Sequence, residues 1–170
     1  TVLVTGAAGS IGSELARQLI ALGAKETVML DHAESALYDV EMELLGKGQT
    51  AFTPVVGDVR DRDTMDRLLA QVKPEVIFHA AAYKHVPLME AQPEQAVRTN
   101  IGGTRTMADL ALKHGVKEFI LISTDKAVNP TSVMGATKRC AQLYVQSLNG
   151  REAAMAIITT HFGNVLGSNG

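Results

Sequence analysis

Six short apolar runs alternate with helix-periodic stretches, and this alternation constrains the chain more than any single motif. Runs near 1–5, 26–30, 51–56, 75–79, 117–122 and 153–159 read as strands, and stretches near 10–23, 34–46, 61–72, 93–114 and 134–149 as helices. The run Phe119-Ile120-Leu121-Ile122 has no polar residue to turn toward water, so it reads as a strand covered on both faces. Strands of that kind, each followed by a helix, predict right-handed crossovers and a parallel sheet with helices on both faces. Gly23, Gly46, Gly48, Pro74, Gly115 and Gly150 stand where elements should end. No repeat, low-complexity tract or linker interrupts the pattern, so the 170 residues predict one α/β domain with a doubly wound sheet. The chain opens inside its first strand and closes in the polar loop 163–170, which predicts a fragment whose substrate portion lies beyond Gly170.

Between the first strand and first helix stands Thr5-Gly6-Ala7-Ala8-Gly9-Ser10-Ile11-Gly12. Glycines spaced this way let the backbone turn tightly and let a pyrophosphate reach a helix N-terminus, where free N–H groups favour an anion. Ser10 is placed to cap that helix, with Ser13 or Glu14 behind it. The second strand ends in Asp31, 25 positions after Gly6. A carboxylate there accepts hydrogen bonds from both ribose hydroxyls and repels a 2′-phosphate, which selects NAD over NADP. The alternative role for Asp31 is the N-cap of the next helix. These features predict a Rossmann-type NAD site built from Gly6, Ala8, Gly9, Ser10, Ile11, Gly12, Asp31 and His32. Asp58 and Val59 end the third strand, where the carboxylate meets either the adenine amino group or the N-terminus of the helix opening at Arg60-Asp61. Ala80, Ala81 and Ala82 follow the fourth strand, small enough for a flat cofactor to lie against the backbone.

Ser123-Thr124-Asp125-Lys126 follows the fifth strand, with Met134 and Lys138 in the helix behind it. Open α/β sheets place ligands at the carboxyl ends of strands, and an acid beside an amine there suits an elimination. The bland alternative is a solvated strand-to-helix loop. The polar loop Tyr83-Lys84-His85-Val86-Pro87-Leu88-Met89-Glu90 offers Lys84 and His85 to phosphate or sugar hydroxyls. His79 and His85 do not read as a metal pair, since no cysteine or carboxylate cluster completes a coordination set. Asn100, followed by Gly102 and Gly103, interrupts a helical stretch; it predicts a bent helix whose amide either supports the site or lies on a solvated face.

Composition removes several function classes. A net charge of −2 leaves no electrostatic footprint for nucleic acid, and 4% aromatic residues with no Trp leave no stacking platform. One cysteine, Cys140, excludes an internal disulfide and suits a reducing compartment. No apolar run is long enough to span a bilayer, so the fragment is expected to make no direct membrane contact.

The whole chain resembles the extended short-chain dehydrogenase/reductase superfamily and, within it, the bacterial polysaccharide-biosynthesis nucleotide-sugar dehydratases. The resemblance rests on the glycine turn at 5–12, on His-Ala-Ala-Ala-Tyr-Lys-His-Val-Pro at 79–87, and most specifically on Ser-Thr-Asp-Lys-Ala-Val-Asn-Pro-Thr-Ser-Val-Met-Gly-Ala-Thr-Lys at 123–138. In that superfamily a Tyr-x-x-x-Lys pair carries the hydride chemistry. Lys138 matches the lysine, which implies that it holds the nicotinamide ribose, but Met134 occupies the tyrosine position. This methionine is a mark of the membrane-tethered UDP-N-acetylglucosamine 4,6-dehydratases. It leaves Thr124, Lys126 or a bound water to accept the 4-hydroxyl proton. A second departure is His161, where relatives usually carry Arg before Phe-Gly-Asn, which puts diphosphate binding at that position in doubt.

The resemblance implies an NAD-dependent lyase acting on a UDP-sugar, with Thr124, Asp125, Lys126, Lys138 and the variant Met134 at its catalytic centre. Lys84, His85, Asn100 and Asn164 are the substrate candidates. Lys126, neutral, would take the C5 proton, and Asp125, protonated, would give one to the departing C6 hydroxyl; both states reverse those in water, so the site would have to be dry. The full-length protein is expected to be a homo-oligomer at the cytoplasmic face of the inner membrane. A nucleotide-sugar C4 epimerase, a C5-inverting dehydratase and a non-catalytic dinucleotide-binding module remain the alternatives.

Overall fold

The computed structural model describes residues 1–149 and 155–163 of the chain. Six parallel strands form one sheet in the order β3-β2-β1-β4-β5-β6: β1 Val2–Thr5, β2 Thr27–Asp31, β3 Phe52–Val56, β4 Val76–His79, β5 Glu118–Thr124 and β6 Ala156–Phe162. The helices between them are α1 Ser10–Ala21, α2 Glu34–Gly46, α3 Arg62–Val72, α4 Val86–Ala91, α5 Pro93–Ala96, α6 Thr104–Lys113 and α7 Val133–Leu148. A π-helical segment, Val97–Gly103, joins α5 to α6, and a 3-10 turn, Asp125–Ala127, follows β5.

Alternate strand residues serve opposite faces of the sheet. Leu3, Val28, Ile77, Phe119 and Leu121 point to the side where Met65 and Leu69 of α3, Met107 and Leu110 of α6 and Val145 of α7 pack. Val4 and Met29 point to the other side, against Ala16 and Ile20 of α1 and Leu37, Val40 and Leu44 of α2. Each such side chain taken fully from water contributes about 2 kcal/mol, which explains why the strands need no polar face. The strand order reverses between β1 and β4, both paired in register at Val2↔Val76 through Thr5↔His79. That reversal opens a crevice at the carboxyl ends of the strands.

Local departures from the expected elements have local causes. Helix α1 is capped by the Gly9 backbone, with Ser10 its first helical residue and no side-chain cap, so the predicted Ser10 cap is corrected. Pro87 near the start of α4 suits Val86–Ala91 to a short helix, which leaves only residues 83–85 of the predicted polar loop 83–90. Strand β6 ends at Phe162 rather than 159, because it pairs with β5 up to Thr124↔Phe162. The interruption expected at Asn100 is the π-helical segment. Gly103 sits in it because a Cβ there would lie 2.7 Å from Cγ2 of Val59. Among the described residues no helix is long and apolar enough to cross a membrane.

Candidate functional site

The glycine turn is held by contacts that admit no side chain. Gly6 has φ +70°, and a Cβ on it would lie 2.6 Å from the Ala81 nitrogen. A Cβ on Gly12 would lie 2.0 Å from the Gly6 carbonyl oxygen. The turn therefore rests directly on the Ala80–82 backbone. Asp31 fastens its other side. One carboxylate oxygen accepts from the Ala8 N–H at 2.9 Å and the other from the Ala33 N–H at 2.9 Å. The N-cap of α2 is Ala33, without a side-chain cap, so Asp31 tethers two loops and does not cap the helix. A carboxylate has about four acceptor sites; two are used here. His32 Nδ1 stands 3.4 Å from one oxygen, and Asp31 lines a cavity of about 250 Å³ with Gly6, Ala8, Gly9, His32 and Ala80–82.

Asp58 and Val59 line the same cavity, but Asp58 is already gripped. Arg60 Nη2 lies 2.5 Å from one of its oxygens, and the Arg60 N–H donates to the other at 2.9 Å. Hydrogen bonding to the guanidinium is the main cause that holds the Asp58 carboxyl below its usual range. The alternative of Asp58 as a helix cap is corrected: Asp61 caps α3, accepting from the Thr64 N–H at 3.1 Å.

A larger cavity of about 610 Å³ runs from Ser10, Ile11 and Gly12 to the end of β5. Lys84, His85, Thr124, Lys126, Met134 and Lys138 line it. The Thr124 hydroxyl donates to Asp125 at 3.0 Å and accepts from the Lys126 N–H at 3.3 Å, capping the 3-10 turn. Lys126 Nζ lies 3.9 Å from the Asp125 carboxylate, and the two side chains are 46% and 60% exposed. Behind the turn, Gly135 is needed for contact: a Cβ there would lie 2.3 Å from the Lys126 carbonyl oxygen. Lys138 is buried at 4% exposure, and its Nζ donates to the Ile122 carbonyl at 2.7 Å. Burial pushes its pKa down to about 8. Met134 is 3% exposed and packs with Met89 and Ala96 against Tyr83 and Val86.

Asn100 is fully buried and lines neither cavity, so the structure moves it from substrate contact to scaffold. Its oxygen accepts from the Tyr83 N–H at 2.8 Å, and its amide donates to the Tyr83 carbonyl and the Thr137 hydroxyl, each at 3.1 Å. One side chain thus ties the loop 80–85 to α7, beside Lys138. His79 is equally internal. Its Nδ1 lies 2.8 Å from the Thr5 hydroxyl and its Nε2 3.1 Å from the Thr104 hydroxyl. Burial first, and then the charge of Lys138, push its pKa down to about 3. His85, by contrast, is exposed at the N-cap of α4. Among the described residues no group of three or more His, Cys, Asp or Glu is placed to hold a metal ion.

Sequence reading missed two positioning contacts. Buried Gln142 donates to the Ser123 hydroxyl at 2.5 Å and lies 3.0 Å from Nε2 of His161, joining β5, α7 and β6. Glu90 of α4 accepts from the Val133 N–H at 2.6 Å and so fastens the start of α7. A glutamine on the apolar side of α7, one turn after Lys138, was the only signal for the first. Asn164 lies outside the described residues.

A family model described as polysaccharide biosynthesis protein matches residues 2–170. The chain belongs to that family. It is 49% identical, over its whole length, to the probable polysaccharide biosynthesis protein EpsC of Bacillus subtilis, of which it spans 29%. It is 33% identical, over 99% of its length, to a UDP-N-acetylglucosamine 4,6-dehydratase (inverting) of Campylobacter jejuni, of which it spans 50%. A UDP-glucose 4-epimerase of Rickettsia rickettsii is 31% identical and is likewise spanned by 50%. Among solved structures, Pen from Bacillus thuringiensis matches with a TM-score of 0.91 at 29% identity, covering 99% of this chain and 52% of that one. DesIV of Streptomyces venezuelae, a dTDP-glucose 4,6-dehydratase crystallised with NAD, matches at 0.81 with 28% identity, covering 94% and 54%. The Rossmann-type fold of this family member is therefore that of the nucleotide-sugar dehydratases and epimerases of the short-chain dehydrogenase/reductase superfamily. The chain spans half or less of the curated relatives compared.

Proposed function

We propose that this chain is the dinucleotide-binding part of an NAD-dependent nucleotide-sugar 4,6-dehydratase. The enzyme converts UDP-N-acetylglucosamine to a UDP-4-keto-6-deoxy sugar in surface-polysaccharide biosynthesis. The observation that carries this reading is the turn after β5: Thr124 and Lys126 line the cavity that also holds Lys138, and Asp125 stands on the same turn outside the lining, 3.9 Å from Lys126 Nζ. The residues fit the dinucleotide: Gly6 and Gly9 line the first cavity without side chains, and the Asp31 carboxylate lines it with two of its about four acceptor sites taken by Ala8 and Ala33. NAD, when bound, supplies the hydride acceptor at C4 and the donor at C6. Gly6, Gly9, Ser10, Ile11 and Gly12 would hold its pyrophosphate, Asp31 and His32 its ribose, Asp58 and Val59 its adenine, and Ala80–82 would form the wall. Lys138 would hold the second ribose.

Thr124 hydrogen-bonds the 4-oxygen in this reading. Lys126 takes the C5 proton, made acidic by the new ketone, and Asp125 protonates the departing C6 hydroxyl. Lys84 and His85 lie across the cavity, suited to the diphosphate or sugar hydroxyls. Acid and base in these protonation states need a dry site. In this chain both side chains face solvent, so the remainder of the full-length protein is assigned the task of covering them. That protein is proposed to work as a homo-oligomer at the cytoplasmic face of the inner membrane, as the resemblance to membrane-tethered dehydratases implies.

A C5-inverting dehydratase is the second reading, supported by the identity to the Campylobacter protein. Incubating the full-length parent with UDP-N-acetylglucosamine tests both. Loss of one water with C5 configuration kept supports the first, and loss of water with C5 inverted supports the second. A product with C6 intact and C4 inverted replaces both with epimerisation, and bound NAD with unchanged sugar leaves a binding module.

A further inference from the structure

Oxidation at C4 releases a hydroxyl proton, and Met134 has no lone pair basic enough to take it. We propose that Lys138 is itself the base that accepts the 4-hydroxyl proton, an inference that rests on the dehydratase reading above. The competing groups are committed elsewhere. The Thr124 hydroxyl already gives its hydrogen to Asp125, and Lys126 stands half-exposed beside Asp125 on the turn assigned to C5 and C6. Lys138 lines the same cavity as Thr124 and Met134 but is buried to 4% exposure, and its Nζ partner is the uncharged Ile122 carbonyl. A single neutral carbonyl favours the ammonium far less than a carboxylate partner would, so burial outweighs this contact.

The surroundings favour the neutral amine. No carboxylate lines the cavity among the described residues. The titratable groups facing it from other elements are Lys84, His85 and Tyr83 of the loop after β4 and Lys126 of the 3-10 turn. His79 of β4 stays neutral in the core and adds no charge. Arg139 of α7 is exposed and turns to Gln142, which also lies 3.0 Å from His161 of β6. Burial without a compensating anion pushes the Lys138 pKa down to about 8, close to the pH at which a base works best.

The step balances. The O4–H bond breaks and an N–H bond forms at Nζ, while C4 loses its hydrogen as hydride and becomes the ketone, a two-electron oxidation matched by reduction of the nicotinamide dinucleotide. Lys126 returns its proton to C5 when hydride reaches C6. The proton gained by Lys138 then offsets the one Asp125 gives to the leaving water, so turnover is proton-neutral.

The test uses the full-length parent with NAD and UDP-N-acetylglucosamine and reads the burst of reduced dinucleotide. In the wild type the burst rate should rise about tenfold per pH unit below pH 8 and level off above it. Lys138→Arg keeps a cation and its hydrogen bonds but cannot yield a proton. It should bind NAD within about threefold of wild type by fluorescence titration, yet lose a hundredfold or more of the burst rate. In Lys138→Ala, added methylamine should restore the burst. The unloaded protein gives an independent readout: Lys138→Met should gain melting temperature over wild type as pH falls from 10.5 to 8, and the gap should stay constant below. A normal burst in saturated Lys138→Arg, a pH-independent wild-type burst, or a stability gap that ignores pH each overturns the proposal. A wild type that binds NAD but shows no burst overturns the dehydratase reading itself, and is seen before any variant is made.

Discussion

At the carboxyl end of β1 the chain leaves no room for one added carbon, whereas at the carboxyl end of β5 it leaves two charged side chains in solvent. The glycine turn is set by backbone contacts with Ala81 and Ala8 and by a buried aspartate with both oxygens engaged. The Asp125–Lys126 pair is joined by one ion contact at 3.9 Å and sits on a 3-10 turn. The difference teaches that the two proposed tasks are prepared to different degrees. Holding a dinucleotide depends on backbone N–H groups that a compact fold can place once and for all. Proton transfer needs side chains withdrawn from water, which this chain achieves for Lys138 and not for its neighbours on the turn.

Acid should break the comparison most completely. Folding keeps His79 neutral with a pKa near 3, while the unfolded chain binds a proton near 6.5. The stability it lends is whole above pH 6.5 and is lost progressively as pH falls toward 3. Urea midpoints across that range should fall steeply in wild type and less steeply in His79→Gln. Gly6→Ala comes next: a positive φ and a Cβ overlapping the Ala81 backbone should together cost about 3 kcal/mol or more and abolish NAD binding, measured by melting and titration.

The open turn should show the converse behaviour. Asp125→Asn in the full-length parent should lower C6 elimination by about a hundredfold while C4 oxidation stays detectable, and Lys126→Met should block exchange of the C5 proton with solvent deuterium. Neither substitution should move stability by more than about 0.5 kcal/mol, because both side chains are exposed. Asn100→Ala removes three hydrogen bonds, two with Tyr83 and one with Thr137, and should cost about 2 kcal/mol, with a rise in hydrogen exchange confined to loop 80–85. Met134→Leu should be the mildest. An apolar swap of similar volume costs below about 1.5 kcal/mol and removes no transferable proton, so turnover should stay near normal. A severe defect there, with normal Asp125 and Lys126 variants, would show a site built around packing.

Much of the architecture was legible because it follows from patterns a few residues long. Alternating apolar runs dictated the parallel sheet, and glycines at 6, 9 and 12 marked a turn that side chains would fill. Asp31 was placed correctly at the strand end, yet its grip on Ala8 and Ala33 was hidden, since those partners are set by how β1 and β2 lie side by side. Asp58 could not be separated from Asp61 as a helix cap on sequence alone, because both types of residue cap helices and only the geometry of the turn chooses. Lys84 and His85 line the larger cavity, while Asn100 is a buried clamp between loop 80–85 and α7.

By itself, then, the amino-acid order determined the sheet, its crossovers, the glycine turn and the loop of acid and amine, because each rests on local propensity and on burial of alternating side chains. Tertiary structure alone decided which polar groups lost water. Lys138 and Asp125 stand 13 positions apart. One is roofed by α7, β5 and the loop from β4, and the other stands at the rim. Desolvation depends on what packs from distant parts of the chain, and no local pattern of residues records it.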